Sequence, residues 1–196
     1  MSIALSFDTV EAPPLQIRRF TVQEYHQLGE IGLLAAEDRV ELLEGWIVQK
    51  MNQRPAHGFV VGLLNQWIVN NLPNGWICRC QLPITTDRSE LEPDIAVVAG
   101  THKGFRSRHP MGSDCRLVIE VADTSVAKDR AKASIYATAG VDEYWIINLI
   151  ENQLERYSAS DGTIYIEQTI IQAAESIELK IGNTTLVLAL GELFAD

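Results

Sequence analysis

The stretch from Leu117 to Asn148 constrains the fold more than any other part of this chain. Leu117-Val118-Ile119, followed after one acid by Val121, is apolar on both faces, which is the pattern of a strand buried inside a sheet. Ser125 is placed to cap a helix running to about Thr138, and Gly140 to stop it. Tyr144 to Asn148 then returns as a second buried strand. Strand, helix, strand is a crossover unit, and it puts the chain in the α/β class.

The flanking pattern agrees with that class. Thr21 followed by Glu24 fits a capping box, and Val22, Tyr25, Leu28 and Ile31 recur at helical spacing. Residues 39–50 read as either a helix or two strands about Glu44-Gly45, and the hairpin is the better fit. From His57 to Leu72 the apolar positions repeat at three and four, predicting a long core-facing helix that Pro73-Asn74-Gly75 ends. β-rich runs follow at residues 76–82 and 94–99. Beyond the crossover, residues 153–158, 163–171 and 184–189 alternate and are separated by Asp161-Gly162 and Gly182-Asn183, so they read as antiparallel strands closing the sheet. Residues 1–19, with Pro13-Pro14 and no sustained period, read as an N-terminal arm, and residues 20–196 as one domain. A chain of 196 residues with 46% hydrophobic content is ordinary for a domain of that size.

Several function classes recede. The longest apolar runs fall far short of the roughly 20 residues that span a bilayer, so no membrane partner is expected. The first residues carry no basic charge before their short apolar run, unlike a secretory signal, so a cytoplasmic location is expected. Three cysteines cannot all pair, and no Cys-x-x-Cys or His-x-x-x-His accompanies them, which removes a zinc site and leaves reduced thiols. No Gly-x-x-x-x-Gly-Lys-Ser/Thr run occurs. The net charge of −10 opposes a nucleic-acid role, although acids gathered round a cation count toward it and Lys103, Arg106, Arg108 and Arg116 form a basic stretch.

The chemistry lies in acids at the ends of hydrophobic strands. Asp94 opens Ile95-Ala96-Val97-Val98, and Glu120 interrupts the run from Leu117 to Val121. A carboxylate in such a run is costly to bury without compensation, and two converging on one edge raise each other's pKa. A hard divalent cation bound through oxygen is the usual remedy. Taken singly, each acid also fits a place where its strand meets solvent. The next helix carries Asp129, Lys132 and Tyr136 on one stripe, from which a lysine reaches the strand end or stays as a solvated pair with Asp129.

These residues resemble the PD-(D/E)XK nuclease pattern, through Pro93-Asp94 and Glu120-Val121-Ala122, and more closely its Uma2 branch, also called DUF820. The further words that carry the resemblance are Arg39-Val40-Glu41-Leu42-Leu43-Glu44-Gly45, His57 opening the long helix, Asp129 with Lys132 and Tyr136, and Gly140-Val141-Asp142-Glu143-Tyr144-Trp145-Ile146-Ile147. The match runs from about Phe20 to Tyr165. It implies a restriction-endonuclease-like mixed β-sheet core flanked by helices, with extra antiparallel strands at the C-terminus. It also implies a Mg²⁺- or Mn²⁺-dependent endonuclease that hydrolyses nucleic acid, DNA ahead of RNA, with Asp94 and Glu120 as metal ligands and Glu41 and Lys132 completing the catalytic set. His57, Asp129 and Tyr136 would support them. In the parent motif the lysine stands two residues after the second acid. That position here is Ala122, so Lys132 would be a lysine relocated to the following helix. A catalytically inactive binding or regulatory module on the same fold is the alternative, and a hydrolase of a different phosphate a third reading. A homodimer is expected only by analogy with enzymes that cut two strands.

Overall fold

The structure is a computed structural model, and residues 17–194 are described; of the arm expected over residues 1–19, residues 1–16 lie outside them. The first helix, α1 (Val22–Glu30), begins at Thr21, whose hydroxyl accepts from the Glu24 amide while the Glu24 carboxylate accepts from the Thr21 amide, the reciprocal box read from the sequence. The hairpin of β1 (Val40–Leu43) and β2 (Trp46–Gln49) turns on Glu44 and Gly45, both at positive φ (49° and 81°). Gly45 is required there twice over, since a Cβ would also stand 2.6 Å from that of Arg19.

The centre is a six-stranded sheet in the order β10-β9-β8-β7-β6-β3. Its strands are β3 (Trp76–Cys80), β6 (Ile95–Ala99), β7 (Cys115–Ala122), β8 (Glu143–Asn148), β9 (Gln153–Ser160) and β10 (Tyr165–Gln172). Only β7 and β8 pair in parallel, joined over the sheet by α3 (Val126–Thr138) as the crossover requires. Alternation sorts the side chains of β7. Leu117, Ile119 and Val121 pack with α2 (Pro55–Asn71) and with the ribbon of β11 (Ser176–Ile181) and β12 (Thr184–Ala189). Val118 and Ala122 face the other way, into a second cluster with Ile135 and Tyr136 of α3 and with Leu43, Ile84 and Leu91 of a four-stranded sheet. That sheet adds β4 (Ile84–Thr85) and β5 (Glu90–Leu91) to the hairpin, in the order β2-β1-β5-β4.

Three expectations change. The 184–189 run does not close the main sheet; it pairs with β11, which has its own alternation of exposed and buried positions, in a separate two-stranded ribbon packed on the α2 face. Ser125 occupies the N-cap position of α3 without capping it, because its hydroxyl donates to the Asp129 carboxylate instead. The basic stretch 103–116 is not one surface, since Arg116 turns in to Glu143 (2.6 Å) while Arg106 stays exposed. At the far end of α3 the expected stop is present: Gly140 (φ 82°) and Val141 donate to Ala137 and Tyr136, a Schellman closure that aims Val141 into the core. The three cysteines are free thiols.

Candidate active site

The register of the sheet places the two acids. Ile95 pairs with Ile119 and Ala96 with Val118 across β6 and β7, so one step further along Asp94 comes beside Glu120. Both belong to the face that α3 covers. The ladder between the strands ends there, and the Asp94 side chain takes over from the backbone: its Oδ2 accepts from the Val121 amide at 2.8 Å. His57, in the first turn of α2, lies 3.0 Å from the same oxygen, and Gln81 Nε2 donates to Oδ1 at 3.3 Å. Gln81 reaches this position from a left-handed conformation (φ 51°) just after β3, with its amide donating to the Asp94 carbonyl at 3.0 Å.

Glu120 is 5% exposed and meets α3. Lys132 Nζ donates to its Oε1 at 2.8 Å and the Tyr136 hydroxyl to the same atom at 2.9 Å. Lys132 and Tyr136 are four residues apart, so one helical stripe delivers both. Among the described residues Glu120 Oε2 has no hydrogen bond. The Lys132 ammonium also lies 3.5 Å from Glu41 Oε1 and 3.7 Å from Asp129 Oδ1. Glu41, on β1, completes the group with a contact to Lys128 at 2.7 Å, and its Oε2 is buried with no partner. The structure therefore gathers every residue named from the sequence around one cleft. Glu41, His57, Asp94, Glu120, Asp129 and Lys132 line it, and Tyr136 lies behind Glu120. Gln81 and Lys128 were not singled out in advance. Lys128 stands one turn before Lys132 and carried a helical signal; Gln81 carried none, because only the paired strands bring it to Asp94.

Burial and charge set the protonation of the group. Burial pushes the Glu120 carboxyl up to about 8, with Lys132 pulling it down and Asp129, Asp94 and Glu41 adding to the rise. Burial likewise raises Asp129 against the pull of Lys132. For Glu41 burial is outweighed by the Lys132 and Lys128 ammoniums, which hold it below the usual carboxylate range. Burial alone would neutralise Lys132, but Glu120, Glu41 and Asp129 keep it protonated far up the pH scale. His57 is raised because Asp94 overcomes the cost of burying the imidazolium.

Three carboxylates, Glu41, Glu120 and Asp129, thus share two ammoniums, Lys128 and Lys132, while Asp94 faces His57. The shortfall of positive charge, the unpartnered Glu41 Oε2 and the open Glu120 Oε2 fit a hard divalent cation bound by oxygen. Among the described residues no three His, Cys, Asp or Glu side chains close on one point as a complete cage. The open carboxylate oxygens fit a divalent ion that takes part of its shell from water, as Mg²⁺ and Mn²⁺ do. The cleft has a volume of about 310 Å³, at the small end for ligand sites.

The profile of the Uma2 family, described as "Putative restriction endonuclease", matches residues 22–190. A search of the curated proteins finds no match. Among solved structures the fold is similar to that of "a putative nuclease belonging to DUF820" from Anabaena variabilis. The TM-score is 0.69 at 18% sequence identity, over 89% of this chain and 97% of that one.

Proposed function

The chain belongs to the Uma2 family, and from that premise we propose that it is a divalent-metal-dependent endonuclease hydrolysing phosphodiester bonds of nucleic acid, DNA in preference to RNA. One observation carries the reading. A lysine buried to 4% exposure is held 2.8 Å from Glu120 in the cleft that Asp94 shares, where a lysine serving only solubility would not be.

In this reading Asp94 and Glu120 would hold Mg²⁺ or Mn²⁺, with Glu41, whose Oε2 is buried without a partner, supporting them. The ion, when bound, supplies Lewis acidity that draws charge onto the phosphate oxygens and makes water a better nucleophile. The remaining work belongs to the chain. Lys132 keeps a proton on Nζ at every working pH, so it can orient the attacking water and offset the charge of the pentavalent phosphate as a hydrogen-bond donor. Tyr136 fixes the Glu120 carboxylate by donating to Oε1. His57, Gln81 and the Val121 amide fix Asp94 in the same way. A cytoplasmic location, a single domain over residues 20–196 and a homodimer complete the proposal; sedimentation of the purified protein tests the last. No helix among the described residues is long and apolar enough to cross a membrane.

The inactive-module reading draws on Ala122, fully buried in the core at the position where the parent motif has its lysine. Calorimetric titration with Mg²⁺ and Mn²⁺, run beside cleavage assays on single- and double-stranded DNA and RNA, separates the two. Metal binding with cleavage, lost in Glu120→Gln, supports the endonuclease. Metal binding without cleavage of any nucleic acid supports the module and overturns the enzyme.

A further inference from the structure

A second cleft, of about 800 Å³, adjoins the acidic one, and Arg39, Lys50 and Glu92 line both. Its walls are α1, the turn before β1, and the loop after a short helical turn at His102–Phe105. The charge balance there is the reverse of the whole chain's. Overall the chain has 16 Lys and Arg against 26 Asp and Glu. The second cleft sets Arg39, Lys50, Arg106 and Arg108 against Glu30 and Glu92, and Lys50 is paired with Glu92. Arg106 is exposed and has no ionic partner among the described residues. Arg108 is half exposed, held by Asp114 at 2.8 Å and by the Phe105 ring 4.9 Å beneath it. Arg39, at the junction, spends its guanidinium on neutral oxygens, Asn52 Oδ1 and the Met51 carbonyl.

We infer that this second cleft receives the sugar-phosphate backbone of duplex DNA flanking the phosphate in the acidic cleft, with Arg39, Arg106 and Arg108 as its phosphate contacts. The inference rests on the nuclease reading above and adds the path of the substrate to it. A concentrated basic lining on a molecule of net charge −10 is matched by a polyanion and by little else. The aromatic rings present do not offer stacking platforms for splayed bases. Phe105 is covered by Arg108, Tyr25 is tied through its hydroxyl to the Val40 carbonyl at 3.1 Å, and the His26 and His109 rings are both turned to the Glu90 carboxylate, at 2.9 and 3.5 Å. Backbone contacts without stacking belong to a duplex rather than to a single strand.

The test is fluorescence anisotropy of the full chain with a labelled DNA duplex, over a range of salt concentrations, in EDTA and again with Ca²⁺. Arg106→Glu and the double variant Arg106→Glu with Arg108→Gln are compared with the unaltered protein, and thermal melts and Mn²⁺ calorimetry serve as controls. The expected result is severalfold weaker binding whatever the DNA sequence, and a salt slope reduced by about 1 for each arginine lost. Mn²⁺ affinity should not move in either variant, and the melting temperature should not move in Arg106→Glu, because Arg106 is exposed and has no ionic partner among the described residues. A protein that binds and cleaves duplex DNA with the same affinity and slope in both variants overturns the path while leaving the nuclease reading in place. Equal or tighter binding of the matching single strand overturns the choice of duplex. Failure of the unaltered protein to bind or cleave any nucleic acid overturns the nuclease reading, and the path with it.

Discussion

Glu120 and Glu155 occupy the same rung of the central sheet. Glu120 pairs with Ile146 across β7 and β8, and Ile146 with Glu155 across β8 and β9, so both carboxylates face α3. Both are buried, at 5% and 0% exposure. The helix answers them differently. To Glu155 it sends Arg130, whose fork donates to both carboxylate oxygens at 2.9 and 2.6 Å, with Asn148 and Tyr157 donating as well. Burial works to raise Glu155, but these donors outweigh it and hold the carboxyl below its usual range. To Glu120 the helix sends Lys132 and Tyr136, both to one oxygen, and the carboxyl stays high, at about 8. A planar guanidinium saturates a carboxylate; a lysine and a phenol on one oxygen leave the other open. One rung therefore carries a finished structural ion pair and an unfinished one, and the unfinished one lies in the cleft.

Breaking the contrast should expose the roles. The largest effect is expected from Glu120→Gln. Nuclease activity and Mn²⁺ binding fall to background, while the metal-free protein at neutral pH melts no lower than before, because burial already holds the Glu120 carboxyl protonated there and Gln replaces a neutral group of the same shape. A matching loss in melting temperature would mean that Glu120 is structural after all. Lys132→Met should lower kcat by about 10²- to 10³-fold, the cost of one donor aimed at developing charge; activity within a fewfold of the original would remove the lysine from the mechanism. His57→Ala, acting only through Asp94, should weaken Mn²⁺ binding about 10- to 100-fold, read by calorimetry. Glu155→Gln should leave metal affinity and kcat alone and cost about 2 kcal/mol of stability, roughly 4–8 °C in melting temperature for a chain of this size.

The smallest effect is one of sign. The Glu155 carboxyl lies below its ordinary value of 4.5 in the folded protein, so its contribution is present above that pH and is lost on acidification. Glu120 lies above it, so the folded metal-free state binds the proton more tightly, and stability falls as pH rises from about 4.5 through about 8. Thermal melts in EDTA from well below pH 4.5 to above 8 should show both limbs. Glu155→Gln should flatten the acid limb, and Glu120→Gln or added Mn²⁺ the alkaline one. An alkaline limb that survives Glu120→Gln would assign it to Asp129, which burial also raises.

How much of this was legible depended on range along the chain. The Thr21–Glu24 box, the Glu44-Gly45 hairpin and the crossover from β7 to β8 rest on contacts between near neighbours or on continuous apolar runs, and all were readable. Strands β4 and β5, two residues each, are too short to show a period. The acids were singled out from their positions in apolar runs, but their adjacency follows from a pairing of β6 with β7 that no local pattern states. The buried residues of α3 are Asp129, Lys132, Ile135, Tyr136 and Ala137, and the two nearest its start are charged. A hydrophobicity argument turns that part of the helix toward solvent. Only the acids waiting on the sheet turn it inward, and for the same reason Arg130 could not be matched with Glu155 from the sequence.

The helical location of the lysine has a consequence for how such a site drifts. On a strand, a lysine two residues past the acid has one position and one neighbour, and its loss is final. On α3 the cation sits on a spiral whose successive turns pass the same acids. Lys128 and Lys132, one turn apart, already touch the same atom of Glu41, at 2.7 and 3.5 Å. A substitution that removed the Lys132 ammonium would therefore leave another on Glu41 one turn away, while the sheet stays fixed.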